Sequence, residues 1–298
     1  MQKWRVPEDA AEQRVVESNA RLSALRTREH CHMKLGCNSH SYARMLAAGE
    51  LTQLEWVDAC AHELMLDGVE FAGAHFPRSD EDYLAQLKKL CVDRCLTVAG
   101  LHHDVAFDPA DVDRHAASLV AAMSSALALG APVVRFISSS ASGSPGIAWR
   151  ELIRGLKAAC LDAKFHNITL ALQPSAGSLV ATPAEAKRAM KECDSAWLRL
   201  ALSAREFTSE QREEWAAALA DVVIISAPMV RLDTFGADET IDYISVLTQL
   251  WQHRYRGFLS LEYGGDEDEG AAVKSSVSWL RGMLAKDALK AAAILPAT

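Results

Sequence analysis

The sequence predicts an α/β fold with a parallel β-sheet, on two observations. Short apolar runs recur at intervals of roughly 25–35 residues, and patterns of helical period lie between them. Strands that alternate with helices pair in parallel through right-handed crossovers. Eight such units close a single (β/α)8 TIM barrel. The predicted strands are Lys34–Asn38, Gly68–Phe71, Leu96–Leu101, Pro132–Ile137, Ile168–Gln173, Leu198–Ser203, Val222–Ser226 and Gly257–Glu262.

Helix start and stop signals support the segments between these strands. Thr52–Glu55 resembles a capping box, and Gly68 is a suitable C-cap for the helix that this box opens. Gly130 ends another helix directly before the fourth strand. Thr182–Glu185 combines an N-cap threonine with proline at the first helical position. The alternative, a Rossmann sheet, is disfavoured because no G-x-G-x-x-G follows an early strand.

The chain divides into an N-terminal extension, residues 1–32, and a barrel domain, residues 33–298. Residues 8–28 carry a charged helical pattern that packs either on the bottom face of the barrel or on another subunit, or else belongs to a mobile tail. The second of these alternatives would make the protein a homo-oligomer. The apolar positions of this pattern are Val15, Val16, Leu22 and Leu25.

Composition restricts the function classes. The chain has 298 residues, is 50% hydrophobic and carries a formal net charge of −8. An acidic chain without a basic block is a poor candidate for nucleic acid binding, because neutralising phosphates requires clustered Lys and Arg. Local clusters of cations still permit a phosphorylated small substrate.

The cysteines and the N-terminus predict a cytoplasmic protein. The seven cysteines are an odd, scattered set, which is typical of reduced thiols. Cys91 and Cys95 share a helical face, but no second Cys or His pair completes a zinc site. The N-terminus has no apolar segment typical of a secretion signal, and no apolar run is long enough to span a bilayer.

The stretch from Tyr255 to Gly265 is the best candidate for a functional site. An apolar run carries one carboxylate, Glu262, at its last position, and two glycines follow Tyr263. In a parallel barrel, a charged residue at the C-terminal end of a strand lies at the active-site mouth. We therefore predict that Glu262 faces the ligand site.

These features together resemble the xylose isomerase-like TIM barrels, specifically the sugar phosphate isomerase/epimerase family, over roughly residues 33–285. The order and spacing of several segments carry the resemblance. They are Asp67–Phe71 on strand 2, Leu129–Arg135 at strand 4, Ile241–Tyr243 and Leu250 before strand 8, and Tyr255–Tyr263 on strand 8.

The resemblance implies a divalent metal, Mn, Zn, Co or Mg, at the C-terminal mouth. Family members hold it with Glu on strand 5, Asp on strand 6, His on strand 7 and Glu on strand 8. The metal polarises the carbonyl of a sugar or sugar phosphate, and the two glutamates move a proton on the neighbouring carbon.

This chain departs from that pattern at three of the four positions. Strand 5 ends in Gln173, strand 6 in Ser203 and strand 7 in Ser226, and only Glu262 on strand 8 matches. Hard divalent ions prefer anionic oxygen ligands. We therefore predict no tightly bound metal, no other cofactor is indicated, and the two-glutamate proton shuttle cannot operate with the neutral Gln173.

Other polar residues near strand ends complete the predicted site. Adjacent residues in an extended segment point opposite ways, so at most one of His102 and His103 faces the site. We predict Glu262 and His103 as the catalytic pair. The predicted substrate-binding residues are Gln173, Glu70, His102, Ser203, Ser226 and Arg231.

Three polar residues at or near strand ends have structural alternatives to a role in the site. Glu70 either orients substrate or forms a salt bridge inside the mouth. Arg135 forms a buried ion pair with Glu70 or Glu262, or clamps an anion. Arg231 binds an anionic group or pairs with Asp233 at the surface.

Two functions agree with the sequence. The first is a sugar or keto-polyol isomerase, epimerase or related lyase with a reworked site. The second is a catalytically silent barrel that binds a sugar-like ligand or serves as a subunit of an assembly.

Overall fold

A closed barrel of eight parallel strands forms the centre of the computed structural model, which describes residues 33–140 and 144–294, with side chains up to residue 285. The strands follow one another around the barrel in chain order, and β8 pairs with β1. The predicted (β/α)8 TIM barrel is therefore confirmed. The strands are β1 Lys34–Asn38, β2 Gly68–Ala72, β3 Thr97–His102, β4 Val133–Ile137, β5 Thr169–Gln173, β6 Leu198–Ser203, β7 Val222–Met229 and β8 Phe258–Tyr263.

Helices lie between consecutive strands and after the last strand. No helix among the described residues is both long and apolar enough to cross a membrane. The α-helices are α1 Ala43–Ala48, α2 Gln53–His62, α3 Glu81–Asp93, α4 Val112–Leu129, α5 Pro145–His166, α6 Pro183–Cys193, α7 Arg212–Ala217, α8 Tyr243–Gln252 and α9 Glu269–Ile294.

The helix termini agree with the sequence signals in three of four places. Thr52 and Thr182 each form a complete capping box with the glutamate three residues later. Gly130 ends α4 with a φ of 78°, a left-handed conformation that glycine adopts without strain. These caps fix where each helix starts or stops above its neighbouring strand.

The prediction for Gly68 is wrong. Helix α2 ends at His62, well before Gly68, and Gly68 is the first residue of β2. A Cβ at this position would lie 2.4 Å from the carbonyl oxygen of Thr97 and 2.7 Å from the ring of Phe258. Gly68 is therefore required by close packing inside the barrel wall and not by the turn before it.

Alternate side chains of each strand point to different layers. Leu170 and Leu172 of β5 join the large core between the strands and the helices. Ala171, between them, belongs to a small cluster inside the barrel with Ala99, Val133, Ala201 and Ile224. On β4 to β7 this alternation puts the next inward position at the C-terminal mouth. On β3 a register shift beside Ala99 interrupts the alternation, so Leu101 lies in the outer core.

Those next inward positions are polar. Two residues after the apolar interior cluster come Arg135, Gln173, Ser203 and Ser226. The barrel interior thus changes from an apolar plug to a polar mouth within one layer of side chains. The candidate site is built on this layer.

The predicted N-terminal extension, residues 1–32, lies outside the described residues. Within them, six cysteines are free thiols, and five of these are buried. Cys160 and Cys193 are neighbours, with their sulfur atoms 3.7 Å apart.

Candidate functional site

Arg135 of β4 is the centre of the polar mouth. Its Nε donates to Glu70 Oε1 at 2.7 Å, and its Nη2 donates to Glu70 Oε2 at 3.2 Å. Nη2 also donates to Glu262 Oε1, and Nη1 donates to Gln173 Oε1 at 2.6 Å. The Arg135 side chain is only 2% exposed. One guanidinium therefore joins residues from β2, β5 and β8.

Both carboxylates predicted as partners of Arg135 bind it. Glu70 is 1% exposed and receives a further hydrogen bond from the Ser260 hydroxyl at 2.7 Å. The geometry thus agrees with the buried ion pair that the sequence indicated for Arg135, and it gives Glu70 a structural partner in the wall of the mouth. One positive and two negative groups leave this cluster with a formal charge of −1.

Glu262 is held through one of its two oxygens. Oε1 accepts hydrogen bonds from Arg135 Nη2 and from Asn38 Nδ2, the latter at 3.2 Å. Within the described residues, no hydrogen bond reaches Oε2, and the side chain is 20% exposed. Glu262 therefore presents one carboxylate oxygen to the mouth while the other fixes its orientation.

The environment of Glu262 favours its protonated form. Burial is the main cause that raises the pKa of Glu262, and the negative charge of Glu70 raises it further. Arg135 acts in the opposite direction but does not cancel the increase. A carboxylate with a raised pKa is a stronger base when ionised.

The two amides of the mouth have defined orientations. Gln173 accepts from Arg135 through Oε1, which leaves its amide N–H groups directed away from the guanidinium. Asn38 donates to Glu262 through Nδ2, and its Oδ1 accepts from the backbone N–H of His40 at 2.8 Å. Sequence reasoning did not select Asn38, although its position at the end of β1 was the available signal.

His102 lies at the mouth. Its neighbour Leu101 belongs to the outer core, so His102 points inward, and it is paired in register with Arg135. Its Nδ1 is buried, has no hydrogen-bond partner within the described residues and is 3.6 Å from Asp104 Oδ1. Burial, assisted by the charge of Arg135, lowers the pKa of His102 to about 3. His102 is therefore a neutral imidazole at neutral pH.

His103 lies on the other side of the strand. Its Nε2 is 3.2 Å from the hydroxyl of Ser118 on α4. The imidazole at the mouth is thus His102 and not His103, which the sequence had favoured as the catalytic partner of Glu262. The reason is the side-chain alternation at the end of β3, whose phase sequence reasoning left open.

Two more histidines line the β1–β2 side of the mouth. His40 Nδ1 and His75 Nε2 are 3.1 Å apart, and their ring centroids are separated by 5.2 Å. Burial and the neighbouring His40 lower the pKa of His75. Neither histidine was selected for the site from the sequence.

The predicted serines and Arg231 contribute less. Ser203 uses its hydroxyl to accept from the backbone N–H of Arg205. Ser226 is buried, but β7 continues to Met229, so Pro228 and not Ser226 is paired with Glu262. Arg231 is exposed on the loop after β7. Neither serine nor Arg231 joins the Arg135 cluster through a hydrogen bond in the described part of the chain.

The residues at the mouth do not fit a divalent metal. Among residues 33–140 and 144–285, no three His, Cys, Asp or Glu side chains converge to hold an ion. Gln173 Oε1 and Glu262 Oε1, one from each of the two family ligand positions on β5 and β8, already bind the guanidinium of Arg135. We therefore derive no chemistry through a metal.

Comparison with known proteins gives the same fold. A model of the xylose isomerase-like TIM barrel matches residues 59–283. No curated protein sequence matches the chain.

Three solved structures illustrate the likeness. An L-ribulose 3-epimerase has a TM-score of 0.71 and 18% identity, covering 89% of this chain and 98% of its own. A 3-keto-D-glucoside 4-epimerase from E. coli has a TM-score of 0.65 and 15% identity, covering 84% of this chain and 99% of its own. A probable 3-DHS dehydratase from Bacillus anthracis has a TM-score of 0.68 and 15% identity, covering 84% of this chain and 99% of its own.

Identities this low are evidence for a shared fold only, and they carry no information about activity. The family match is stronger evidence, because it extends from α2 to α9 and includes seven of the eight strands. The chain belongs to the xylose isomerase-like TIM barrel family.

Proposed function

We propose that this protein catalyses proton transfer next to the carbonyl of a sugar or keto-polyol, with Glu262 as the base and without a metal. The observation that carries the proposal is the geometry of Glu262. Arg135 and Asn38 hold Oε1, while Oε2 has no hydrogen-bond partner in the described residues. A general base needs a fixed carboxylate with one oxygen directed at substrate.

The charges of the cluster suit this reaction. When Glu262 accepts the proton, its negative charge moves to the oxygen of the substrate enolate. Arg135 then remains paired with Glu70, so the ion pair in the wall persists through the transfer. The neutral imidazole of His102 and the amide of Gln173 are the groups that can donate hydrogen bonds to the enolate oxygen.

The fold comparison and the charge of the mouth support this substrate class. Neighbouring structures are named as epimerases of sugars and as a dehydratase, and one is a D-allulose 3-epimerase from Methylomonas sp. in complex with D-allulose. The Arg135 cluster is formally −1, which favours a neutral sugar over a sugar phosphate. Isomerase, epimerase and lyase chemistry all begin with the same proton abstraction.

A second candidate function is a catalytically silent barrel that binds a sugar-like ligand or serves as an assembly subunit. The same ion pair favours it, because Arg135 binds the Glu262 carboxylate that would act as base. The replacement of three family ligands by Gln173, Ser203 and Ser226 also agrees with lost activity.

The proposal also covers the cellular location and the N-terminal residues. We place the protein in the cytoplasm, in agreement with the free cysteines of the described residues. In this proposal residues 1–32 form a separate helical extension. In a homo-oligomer, a second copy of the chain would pack against this extension.

Exchange of substrate C–H for solvent deuterium tests the proposal. We would incubate the protein with neutral keto-sugars, sugar phosphates and inososes in deuterated buffer and follow exchange by NMR. Exchange with at least one neutral sugar is expected, and Glu262→Gln should reduce its rate by about 10²–10⁴-fold. Circular dichroism would verify that the variant is folded.

Glu63→Gln is the matched control, because this exposed glutamate follows α2 at the opposite end of the barrel. It should leave exchange unchanged. Exchange that persists in Glu262→Gln would refute Glu262 as the base. Binding of a sugar without exchange in the wild-type protein would support the silent barrel instead.

A further inference from the structure

We propose that Arg135 is a built-in cation that occupies the metal position of this barrel and keeps divalent ions out. The proposal goes beyond the proposed function, because it concerns which cation the mouth contains. It applies equally to an enzyme and to a silent sugar-binding protein.

The contacts of Arg135 are those expected of a central cation. Four of the guanidinium N–H groups donate to oxygens of three side chains, Glu70, Gln173 and Glu262. These side chains come from β2, β5 and β8, so the guanidinium links strands across the barrel mouth. Two of the three, Gln173 and Glu262, stand at the strand 5 and strand 8 positions where the resemblance implies metal ligands.

The guanidinium and a divalent ion compete for the same oxygens. A metal bound by Gln173 Oε1 and Glu262 would lie about 2.0–2.6 Å from each oxygen. Arg135 Nη1 is already 2.6 Å from Gln173 Oε1, and Nη2 binds Glu262 Oε1. A metal at these oxygens would therefore contact the guanidinium, and two cations at contact distance in a buried site repel strongly.

Arg135 cannot leave this role by losing its proton. Arginine stays charged in proteins, and the two neighbouring carboxylates raise the pKa of Arg135 despite its burial. Both carboxylates remain in place in part because the guanidinium balances them. Gln173, at the position of a family glutamate, agrees with this charge balance, because an additional carboxylate would make the cluster more negative.

The proposal predicts that removal of Arg135 creates a metal site. Without the guanidinium, Glu70 and Glu262 would be two uncompensated carboxylates beside the amide oxygen of Gln173. Oxygen donors of this kind suit Mn²⁺ and Mg²⁺. The space vacated by the long arginine side chain would admit the ion.

Binding of Mn²⁺ alone, followed by calorimetry and electron paramagnetic resonance, tests the proposal without a substrate. The wild-type protein should show no stoichiometric binding at this site. Arg135→Ala should bind one Mn²⁺ at least about tenfold more tightly than the wild type, a gain of about 1.4 kcal/mol. The gain should disappear in the double variant Arg135→Ala/Glu262→Gln.

Arg135→Lys is the matched control. It keeps a positive charge in the mouth and should remain as insensitive to Mn²⁺ as the wild type. Two results would overturn the proposal. One is a single Mn²⁺ on the wild-type protein that is lost in Glu262→Gln, and the other is a folded Arg135→Ala that binds Mn²⁺ no better than the wild type.

Stability measurements cover the case in which Arg135→Ala does not fold by itself. The variant would then be refolded with and without Mn²⁺ and followed by circular dichroism. Recovery of the fold that depends on Mn²⁺ supports the proposal, because the metal then replaces the missing cation. Failure to recover with Mn²⁺ counts against it.

Discussion

The rings of His102 and His103 lie on opposite sides of the barrel wall, although the two residues are neighbours in the chain. His102 is in register with Arg135 at the mouth, while His103 Nε2 is 3.2 Å from Ser118 Oγ on α4. Side chains alternate along a strand, so one histidine must face the interior and the other the helices. The two residues therefore have separable roles.

Substitution of each histidine by asparagine should separate those roles. His102→Asn should reduce deuterium exchange into the substrate by about 10²-fold, because a neutral imidazole that assists the enolate oxygen is lost. His103→Asn should leave the exchange rate close to that of the wild type. NMR-detected exchange on purified variants measures both. The opposite ranking would restore His103 as the catalytic histidine.

The strands of the barrel could be predicted because their pattern is local. Lys34–Asn38 and Leu198–Ser203 have the predicted bounds, since apolar residues and flanking breakers mark both ends. The end of β7 could not be read in this way. Pro228 is a typical strand breaker, yet a proline near the end of a strand removes only one backbone donor, and β7 continues to Met229.

The contacts of the mouth were harder to predict than its location. The ion pair of Arg135 with Glu70 or Glu262 followed from charge balance alone. The bond from Asn38 to Glu262 joins residues 224 positions apart, and it depends on the pairing of β1 with β8. Similarly, only the register of β3 decides that His102 and not His103 faces the site. Hydrophobic patterns fix strands, but the choice of inward side chain at a strand end needs the register.

The lowered pKa of His102 predicts that the free energy of unfolding decreases as the pH falls. Burial lowers it from 6.5 to about 3, so below pH 6.5 the unfolded chain binds a proton that the folded protein does not. The stability present above pH 6.5 is thus lost as pH falls, by up to about 1.4 kcal/mol per pH unit. His102→Gln should flatten this dependence between pH 6.5 and 5.5.

Urea unfolding at several pH values measures the effect. The lowered pKa values of His75 and His103 act in the same direction, so the comparison is the difference between variant and wild type. The raised pKa of Glu262 acts in the opposite direction, and its contribution is common to the variant and the wild type. An unchanged slope in His102→Gln would show that His102 is not the buried neutral group.

Gly68 should tolerate no side chain. In Gly68→Ala the new Cβ would lie 2.4 Å from the carbonyl oxygen of Thr97, which belongs to the backbone and cannot rotate away. We expect a destabilisation of about 1–3 kcal/mol, as for overpacked cores. Gly282→Ala is the control, because this exposed glycine within α9 has open space around it. The control should be neutral or stabilising by about 0.5–1 kcal/mol.

Chemical denaturation of both glycine variants gives the two free energies of unfolding. Equal stability of Gly68→Ala and the wild type would contradict the close packing of β2 against β3 and Phe258.

The ion pair between Arg135 and Glu70 should be necessary for the fold. Both side chains are almost fully buried, at 2% and 1% exposure. Glu70→Gln keeps the volume and one acceptor oxygen but removes the charge, so Glu262 is the carboxylate partner that Arg135 retains among the described residues. Breaking a buried pair from one side costs about 3–5 kcal/mol, and here Arg135 loses the carboxylate that accepts two of its hydrogen bonds while Glu262, which accepts one, remains.

The matched control is Glu151→Gln, which removes one acidic partner from the surface arginine Arg154. Solvent screens this pair, so its loss should change stability little. Urea unfolding of the two variants under the same conditions compares a buried and an exposed charge. Similar small losses in both would show that Glu262 alone compensates Arg135. In that case the guanidinium would be bound more strongly to the proposed base than to Glu70, and Glu262 would be less available for proton transfer.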